Sequence, residues 1–306
     1  MCKKHKLLES LDEFIESVHM QQRDREINKV AEEVMDGFQE YFRKQGDRFL
    51  ELLEQQENEF PESKVDKKIL KLLEELEMLR ESDNEEKLKE VNQKLQEAIN
   101  DHEIMRLLDE VIMETEIDGK QVIEDSAGQL MLFAHEQLLA ETGFEIDFDL
   151  DHPRAVEYLE KHAAEAVTQI NDTTRDRIGN IVTQGLDEGW SYQKMADEIE
   201  NRFEEFAVGR PQEHIRSRAE HVAVTETANA YESGLNEVAG EMKKQGLEME
   251  KYWENVGDNK VSDGCQENTN AGWIPYDESF PSGDQHSPRF PGCRCSILYR
   301  RKRDNN

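Results

Sequence analysis

Hydrophobic positions recur at intervals of three and four along roughly the first third of the chain. Two early series are Leu7, Leu11, Phe14, Ile15 and Val18, followed by Val30, Val34, Phe38, Tyr41 and Phe42. An α-helix has about 3.6 residues per turn, so this spacing gathers the apolar side chains on one face. The pattern, which continues to about residue 116, predicts a series of amphipathic helices.

Two shorter apolar series are separated by a polar turn. They occupy residues 69–79 and 88–99, and Ser82-Asp83-Asn84 lies between them. This arrangement predicts an antiparallel helical hairpin, in which packing between helices is favoured over a dimerisation zipper because the series are short. Pro61 should end an earlier helix, and residues 127–139 predict a further one.

Residues 144–151 alternate between apolar and acidic side chains, which predicts an extended segment with its apolar residues on one face. The acidic residues that start at Asp147 also have the opening spacing of a calcium-binding loop. That loop requires Gly at its sixth position and Glu at its twelfth, where this chain has His152 and Tyr158. A solvated strand face is therefore favoured over a calcium site.

Residues 153–246 predict a second helical region, with breaks at 185–189 and 208–211. Ser191 is placed to cap one of its helices, as in the first helix of many helix-turn-helix motifs. Acidic residues rather than an Arg-rich or Lys-rich recognition helix follow, which disfavours the reading of DNA by this segment.

Small residues line one face of the helix predicted over residues 212–240, where they allow another backbone to approach closely. These residues are Ala219, Val222, Ala223, Ala230 and Gly234. Thr225 and Glu226 lie in the middle of that face, and a buried carboxylate needs a partner. Arg294 is one candidate, and we favour a structural ion pair over a catalytic acid because no His or second carboxylate lies one turn away.

The composition changes after Gly246, where four of the seven prolines and two of the three tryptophans occur. A turn-rich module with short strands is expected around Val261, Cys265, Trp273, Ile274 and Phe280. Residues 296–299 predict one further strand.

The predicted fold is therefore mainly α, with an elongated N-terminal helical hairpin or bundle followed by a second helical part and a small C-terminal turn-rich β module. The predicted division is an acidic helical region at 1–140, a helical part at 141–250, and a cysteine-containing α/β module with a basic tail at 251–306.

Charge narrows the classes of function. The chain has 69 Asp and Glu against 38 Lys and Arg, which gives a net charge of −31 and a surface that should repel nucleic acid and anionic membrane. The sequence predicts neither an export signal nor a membrane-spanning helix, and hence a cytoplasmic location. The one basic cluster is Arg300, Arg301, Lys302 and Arg303, which is either a contact surface or a solvated end.

Cys265, His286, Cys293 and Cys295 supply the four N or S ligands that a tetrahedral structural zinc site requires. Their spacing is unusual, because Cys-X-Cys allows only strained chelation by both sulfurs. A disulfide between Cys265 and Cys293, or three reduced thiols used as small core residues, are the alternatives, and the sequence leaves all three open.

The sequence gives little support for catalysis, since a cysteine nucleophile needs an orienting base and only His286 is nearby. No Walker loop, GxSxG elbow or zinc-protease helix occurs. A non-enzymatic role is predicted. The alternatives are a nuclease or transferase that uses Glu226 and the cysteine cluster, and a DNA-binding regulator built on the Ser191 helix.

An ordered set of motifs over residues 158–299 resembles the bacteriophage Mu F-like, or head-morphogenesis, family of minor capsid proteins. The first part of the pattern is Gly189-Trp190-Ser191, Met195-Ala196, Val222-Ala223-Val224-Thr225-Glu226, Ala230 and Gly234. The second part is Trp253, Asp258, Val261, Cys265, Gly272, Ile274-Pro275-Tyr276-Asp277-Glu278-Ser279-Phe280 and Pro291-Gly292-Cys293-Arg294-Cys295. This chain departs from the family at Val224, where Arg is common, and at Ser262 and Phe290, where many relatives have Cys and His.

The resemblance implies a low-copy minor head protein that acts without catalysis in procapsid assembly at the portal vertex. The implied partners are portal, coat or scaffold proteins. The basic tail would contact packaged DNA or an acidic groove of the portal. Self-association is a further option. The implied location is the host cytoplasm during assembly and then the virion head.

Overall fold

The computed structural model describes residues 3–56, 64–80, 84–142, 153–208 and 217–302. Within these ranges the chain forms eight helices and one small antiparallel sheet, so the predicted mainly α fold with a C-terminal β module is confirmed. The helices are α1 Lys3–Gln56, α2 Lys64–Arg80, α3 Glu85–Asn100, α4 Glu103–Thr142, α5 Pro153–Asp187, α6 Tyr192–Val208, α7 Arg218–Lys244 and α8 Asp263–Asn270. The strands are β1 Met249–Glu254, β2 Ile274–Pro275 and β3 Ser296–Arg301.

The early apolar series lie on one long helix. Helix α1 has 54 residues, and Val30, Val34, Phe38, Tyr41 and Phe42 are all buried, as the spacing predicts. The helix expected at 127–139 is the C-terminal part of the longer α4. Pro61 and the extended segment expected at 144–151 lie outside the described residues.

Helices α2 and α3 pack against each other as the predicted hairpin. Asn84 begins α3, where its side chain accepts a hydrogen bond from the Lys87 backbone N–H at 3.1 Å. Lys87 also pairs with Glu75 on α2 at 3.4 Å. A capping side chain satisfies a backbone donor that the first helical turn leaves free, which explains why the helix begins at this position.

The described chain divides into two units. One unit comprises residues 1–37, 122–161 and 219–306, and the other comprises residues 38–121 and 162–218. The three-part division at 1–140, 141–250 and 251–306 remains a prediction.

The unit of residues 38–121 and 162–218 has an aromatic core. Phe42 and Phe206 contact edge to face at 5.5 Å between ring centroids, and the Arg218 guanidinium lies 5.2 and 5.1 Å from the same two centroids. Arg218 also donates to the Thr174 hydroxyl at 2.6 Å and to the carbonyl oxygen of Ile170. Burial lowers the pKa of Arg218 to about 9, so this cation depends on its oxygen acceptors and aromatic neighbours.

The other unit carries the C-terminal sheet, in the order β2-β1-β3. The central strand β1 buries Met249, Lys251 and Trp253 on one face, since alternate residues of a strand point to the same side. Residues 219–244 of α7 lie in the same unit, and a Cβ atom at Gly234 would come within 3.0 Å of the Met131 Cα on α4. The small-residue face therefore admits a close helix neighbour, as expected.

Cys265 does not lie on a strand or turn, and that expectation was wrong. Ser262 caps the short helix α8 by accepting from the Cys265 backbone N–H at 3.4 Å, which places Cys265 in the first turn. The capping signal of a Ser followed by an acidic residue explains the helix. In the described ranges, no helix is long and apolar enough to span a membrane.

Candidate functional site

The motif residues of α7 and of the C-terminal module lie in one unit. Thr225 links them directly, because its hydroxyl accepts a hydrogen bond from the Gly292 backbone N–H at 3.1 Å and donates to the His221 carbonyl at 2.8 Å. Gly292 has a φ of 77°, a left-handed conformation that favours glycine. The Pro291-Gly292 turn is thus held against α7 just before the two C-terminal cysteines.

Glu232 provides a second and fully buried link between α7 and β3. Its carboxylate accepts from the Ser296 hydroxyl at 2.5 Å and from the Ile297 backbone N–H at 2.9 Å. Burial raises the pKa of Glu232 to about 7, although these two hydrogen bonds and the charge of Arg23 favour the ionised form. A carboxylate with two donors and a nearby cation is suited to holding elements together.

Glu226 is buried on the same helix, but its proposed partner is engaged elsewhere. Arg294 donates to Asp258 at 2.7 Å, and both side chains are exposed. The hydrogen bond from Arg294 lowers the pKa of Asp258. The Asp258 side chain also accepts from the Lys260 backbone N–H at 2.9 Å, so it shapes the turn that leads from β1 to α8.

Val261 and Gly272 flank α8 and have structural positions. Val261 is half-buried. Its backbone N–H donates a hydrogen bond to the Asp258 carbonyl oxygen, with 3.4 Å between nitrogen and oxygen, and this bond closes the turn before α8. Gly272 follows the C-cap with a φ of 70°, which is the usual way for glycine to end a helix.

Trp253 and Lys251 form the buried face of β1. Trp253 is fully buried and packs edge to face on Phe280, with ring centroids 5.1 Å apart. The Lys251 ammonium donates to both the carbonyl and the side-chain oxygen of Gln285 at 2.8 Å, and it lies 5.1 Å from the Phe280 centroid. Burial lowers the pKa of Lys251 to about 8.

Three of the four candidate metal ligands lie together. The sulfurs of Cys265, Cys293 and Cys295 are all within 4.8 Å of one another, and the three residues are buried and carry free thiols. His286 is not part of this group, and its Nδ1 donates to the Ser287 carbonyl at 2.8 Å. A hydrogen bond from the Cys295 thiol lowers the pKa of Cys293, and the same bond raises that of Cys295.

Two of the four residues of the predicted basic tail, Arg300 and Arg301, lie in strand β3. Arg300 donates to Glu250 at 2.9 Å and stacks over the Trp273 ring at 3.9 Å, while Arg301 ends β3 with an exposed side chain. Lys302 is exposed and pairs with Glu248 at 3.2 Å. Arg303 lies outside the described residues.

Two of the site's buried charges were not singled out from the sequence. Lys251 alternates with Met249 and Trp253, and a period of two places it on the buried face. Glu232 lies between residues of the small-residue face of α7, two before Gly234. These signals were present, but the partners in Gln285 and β3 are set by the tertiary fold.

These features define a helical protein whose last long helix is fastened to a small, cysteine-containing β module. Residues 176–298, from within α5 to within β3, match the family described as Phage Mu protein F like protein. The predicted resemblance to the Mu F-like family of phage proteins is confirmed over this segment. No curated protein and no solved structure matches the chain.

Proposed function

We propose that this protein is a minor head protein of a tailed phage, which acts in head morphogenesis at the portal vertex without catalysing a reaction. The family match over residues 176–298 is the observation that carries the proposal. The motif residues support it, because they stabilise the fold: Thr225 holds the Gly292 turn, and Asp258 pairs with Arg294.

The proposed division of labour follows the three regions predicted from the sequence. The acidic helices of residues 1–140 contact a partner in the head, and the module of residues 251–306 is a stable C-terminal body. Partners are portal, coat or scaffold proteins, and the net charge of −31 favours a partner that presents a basic surface. The protein is then made in the host cytoplasm and enters the virion head in few copies.

The catalytic alternative uses Glu226 and the cysteine cluster. A nucleophile or general acid has to reach its substrate, whereas Glu226 and all three cysteines are buried. This burial disfavours the catalytic alternative, and we therefore give preference to an assembly role.

Co-expression with the portal protein of the same phage tests the proposal. We expect the full chain to co-purify with its own portal protein, and to be found at few copies per particle by quantitative mass spectrometry of isolated heads. A portal protein from an unrelated phage is the control. Absence of the chain from both procapsids and mature heads would overturn the proposal.

A further inference from the structure

The three buried cysteines come from two distant parts of the C-terminal module. Cys265 lies in the first turn of α8, and Cys293 and Cys295 immediately precede β3. Burial alternates over Cys293, Arg294 and Cys295, because only the arginine is exposed. Both sulfurs of this Cys-X-Cys sequence lie on the buried side, close to the sulfur of Cys265.

The spacing of the sulfurs suits a common metal ion. All three lie within 4.8 Å of one another. In a tetrahedral site with metal–sulfur bonds of about 2.3 Å, the sulfurs are about 3.8 Å apart. The upper limit of 4.8 Å exceeds that separation by only about 1 Å, so the three sulfurs are close enough to share one ion.

A second observation points to ionised sulfur at this place. Trp253 is fully buried, and within the described residues its indole N–H has no hydrogen-bond acceptor. The Cys295 sulfur is near enough for this N–H to favour its ionised form, although the two make no hydrogen bond of normal geometry. A neutral thiol is a weak acceptor, whereas a metal-bound thiolate is a good one, so metal binding would satisfy this buried donor.

Arg289 adds positive charge beside the cluster. Its guanidinium donates a hydrogen bond to Asp284 at 2.7 Å. It also interacts electrostatically with the Cys265 sulfur. The guanidinium packs directly on α8, since a Cβ atom at Gly264 would come within 2.2 Å of it. A cation at this position offsets the net negative charge that three thiolates and one divalent ion carry together.

We propose that Cys265, Cys293 and Cys295 bind one Zn²⁺ ion through their three sulfurs, with a water molecule or another exchangeable ligand in the fourth position. The three thiols release their protons to solvent as the ion binds. His286 is not a ligand, because it lies outside the sulfur group and hydrogen-bonds the Ser287 carbonyl. The ion ties α8 to the start of β3 and so stabilises the module.

Metal analysis of the full chain tests this site. The protein is purified under reducing conditions through a tag that needs no immobilised metal, and we expect about one zinc per chain. Refilling the chelator-treated protein with Co²⁺ should give the sulfur-to-metal charge-transfer absorption of a thiolate site. Less than stoichiometric zinc together with no such absorption would overturn the proposal, and one copper per chain would overturn the choice of zinc.

Variants separate the site from general folding. Cys265→Ser, Cys293→Ser and Cys295→Ser should each lose most of the zinc, while Cys2→Ser, the matched control, keeps it. His286→Ala should also keep it, and a loss there would overturn the three-sulfur site. Where a variant fails to fold, the rate of alkylation of the wild-type thiols is compared with and without zinc. Bound zinc should slow the alkylation of the three cysteines. Equal alkylation rates with and without zinc, or a Cys265–Cys293 disulfide in protein from heads, would contradict metal binding.

Discussion

The hydroxyl of Ser296 donates a hydrogen bond to the carboxylate of Glu232 at 2.5 Å, which joins the middle of α7 to the first residue of β3. Ile297 donates its backbone N–H to the same carboxylate. A buried carboxylate is expensive to desolvate, so it persists where donors surround it. We infer that this contact fixes the position of the sheet on the helix.

Replacing Glu232 with alanine should strongly destabilise the protein. The change leaves the Ser296 hydroxyl and the Ile297 N–H without their acceptor, and each buried donor left unsatisfied typically costs about 1–3 kcal/mol. Urea denaturation measures the change in the free energy of unfolding.

Glu241→Ala on the same helix is the control for that substitution. Glu241 forms an ion pair with Lys244 near the surface, one turn away, and such pairs contribute about 0–1 kcal/mol. A loss at Glu232 no larger than the loss at Glu241 would contradict the role of the buried carboxylate.

Glu232 should also give the protein a specific pH dependence. Burial raises its pKa from 4.5 to about 7 in the folded state. Between these two values the folded state binds more protons than the unfolded state, so the free energy of unfolding falls as pH rises from 4.5 to 7 and is then constant. The shift corresponds to roughly 3 kcal/mol.

Urea unfolding of the wild type and of Glu232→Gln at several pH values in this window measures the effect. Because the many other carboxylates also titrate there, the difference between the two proteins is the relevant quantity. That difference should shrink as pH falls towards 4.5. A difference that is independent of pH would show that Glu232 is not the titrating group.

The sequence predicted the helices well because their apolar periodicity is local information. The polar Ser82-Asp83-Asn84 sequence between the apolar series at 69–79 and 88–99 was sufficient for the hairpin, and Gly234 indicated a close neighbour on α7. The partners of single charged residues depend on which segments meet in the fold. Arg294 was therefore matched with Glu226, whereas the structure pairs it with Asp258. Ser262 was read as a lost ligand position, although it caps α8.

Two glycine-to-alanine changes in helices should have opposite effects. At Gly234 a Cβ atom would come within 3.0 Å of the Met131 Cα, and backbone cannot move aside cheaply. We expect Gly234→Ala to destabilise by about 1–3 kcal/mol, as overpacking does.

Gly179 in α5 is the matched control, because its nearest neighbour would be a side-chain atom of Ile99 at 3.4 Å, an ordinary contact. Alanine is the better helix former by about 1 kcal/mol, so Gly179→Ala should be neutral or stabilising. Thermal unfolding of both variants measures the difference. Stabilisation by both substitutions would show that the approach of α4 to Gly234 is looser than described.

The basic tail should separate into a structural residue and contact residues. Arg300 hydrogen-bonds Glu250 and stacks on Trp273, so Arg300→Ala should lower the free energy of unfolding by about 1 kcal/mol. The side chains of Arg301 and Lys302 are exposed, and replacing both with alanine should leave the stability unchanged within about 0.5 kcal/mol.

If the tail contacts DNA or an acidic portal surface, the double replacement of Arg301 and Lys302 should weaken portal binding or DNA retention in heads while the protein stays folded. Electrostatic contacts are screened by salt, so the difference from wild type should diminish as the salt concentration rises. Arg300→Ala, which lowers the free energy of unfolding, is the control that shows how far a loss of stability alone changes portal binding and DNA retention. Unchanged portal binding and DNA retention after replacing all four of Arg300, Arg301, Lys302 and Arg303 with alanine would leave the tail as a solvated end whose first residue stabilises the sheet.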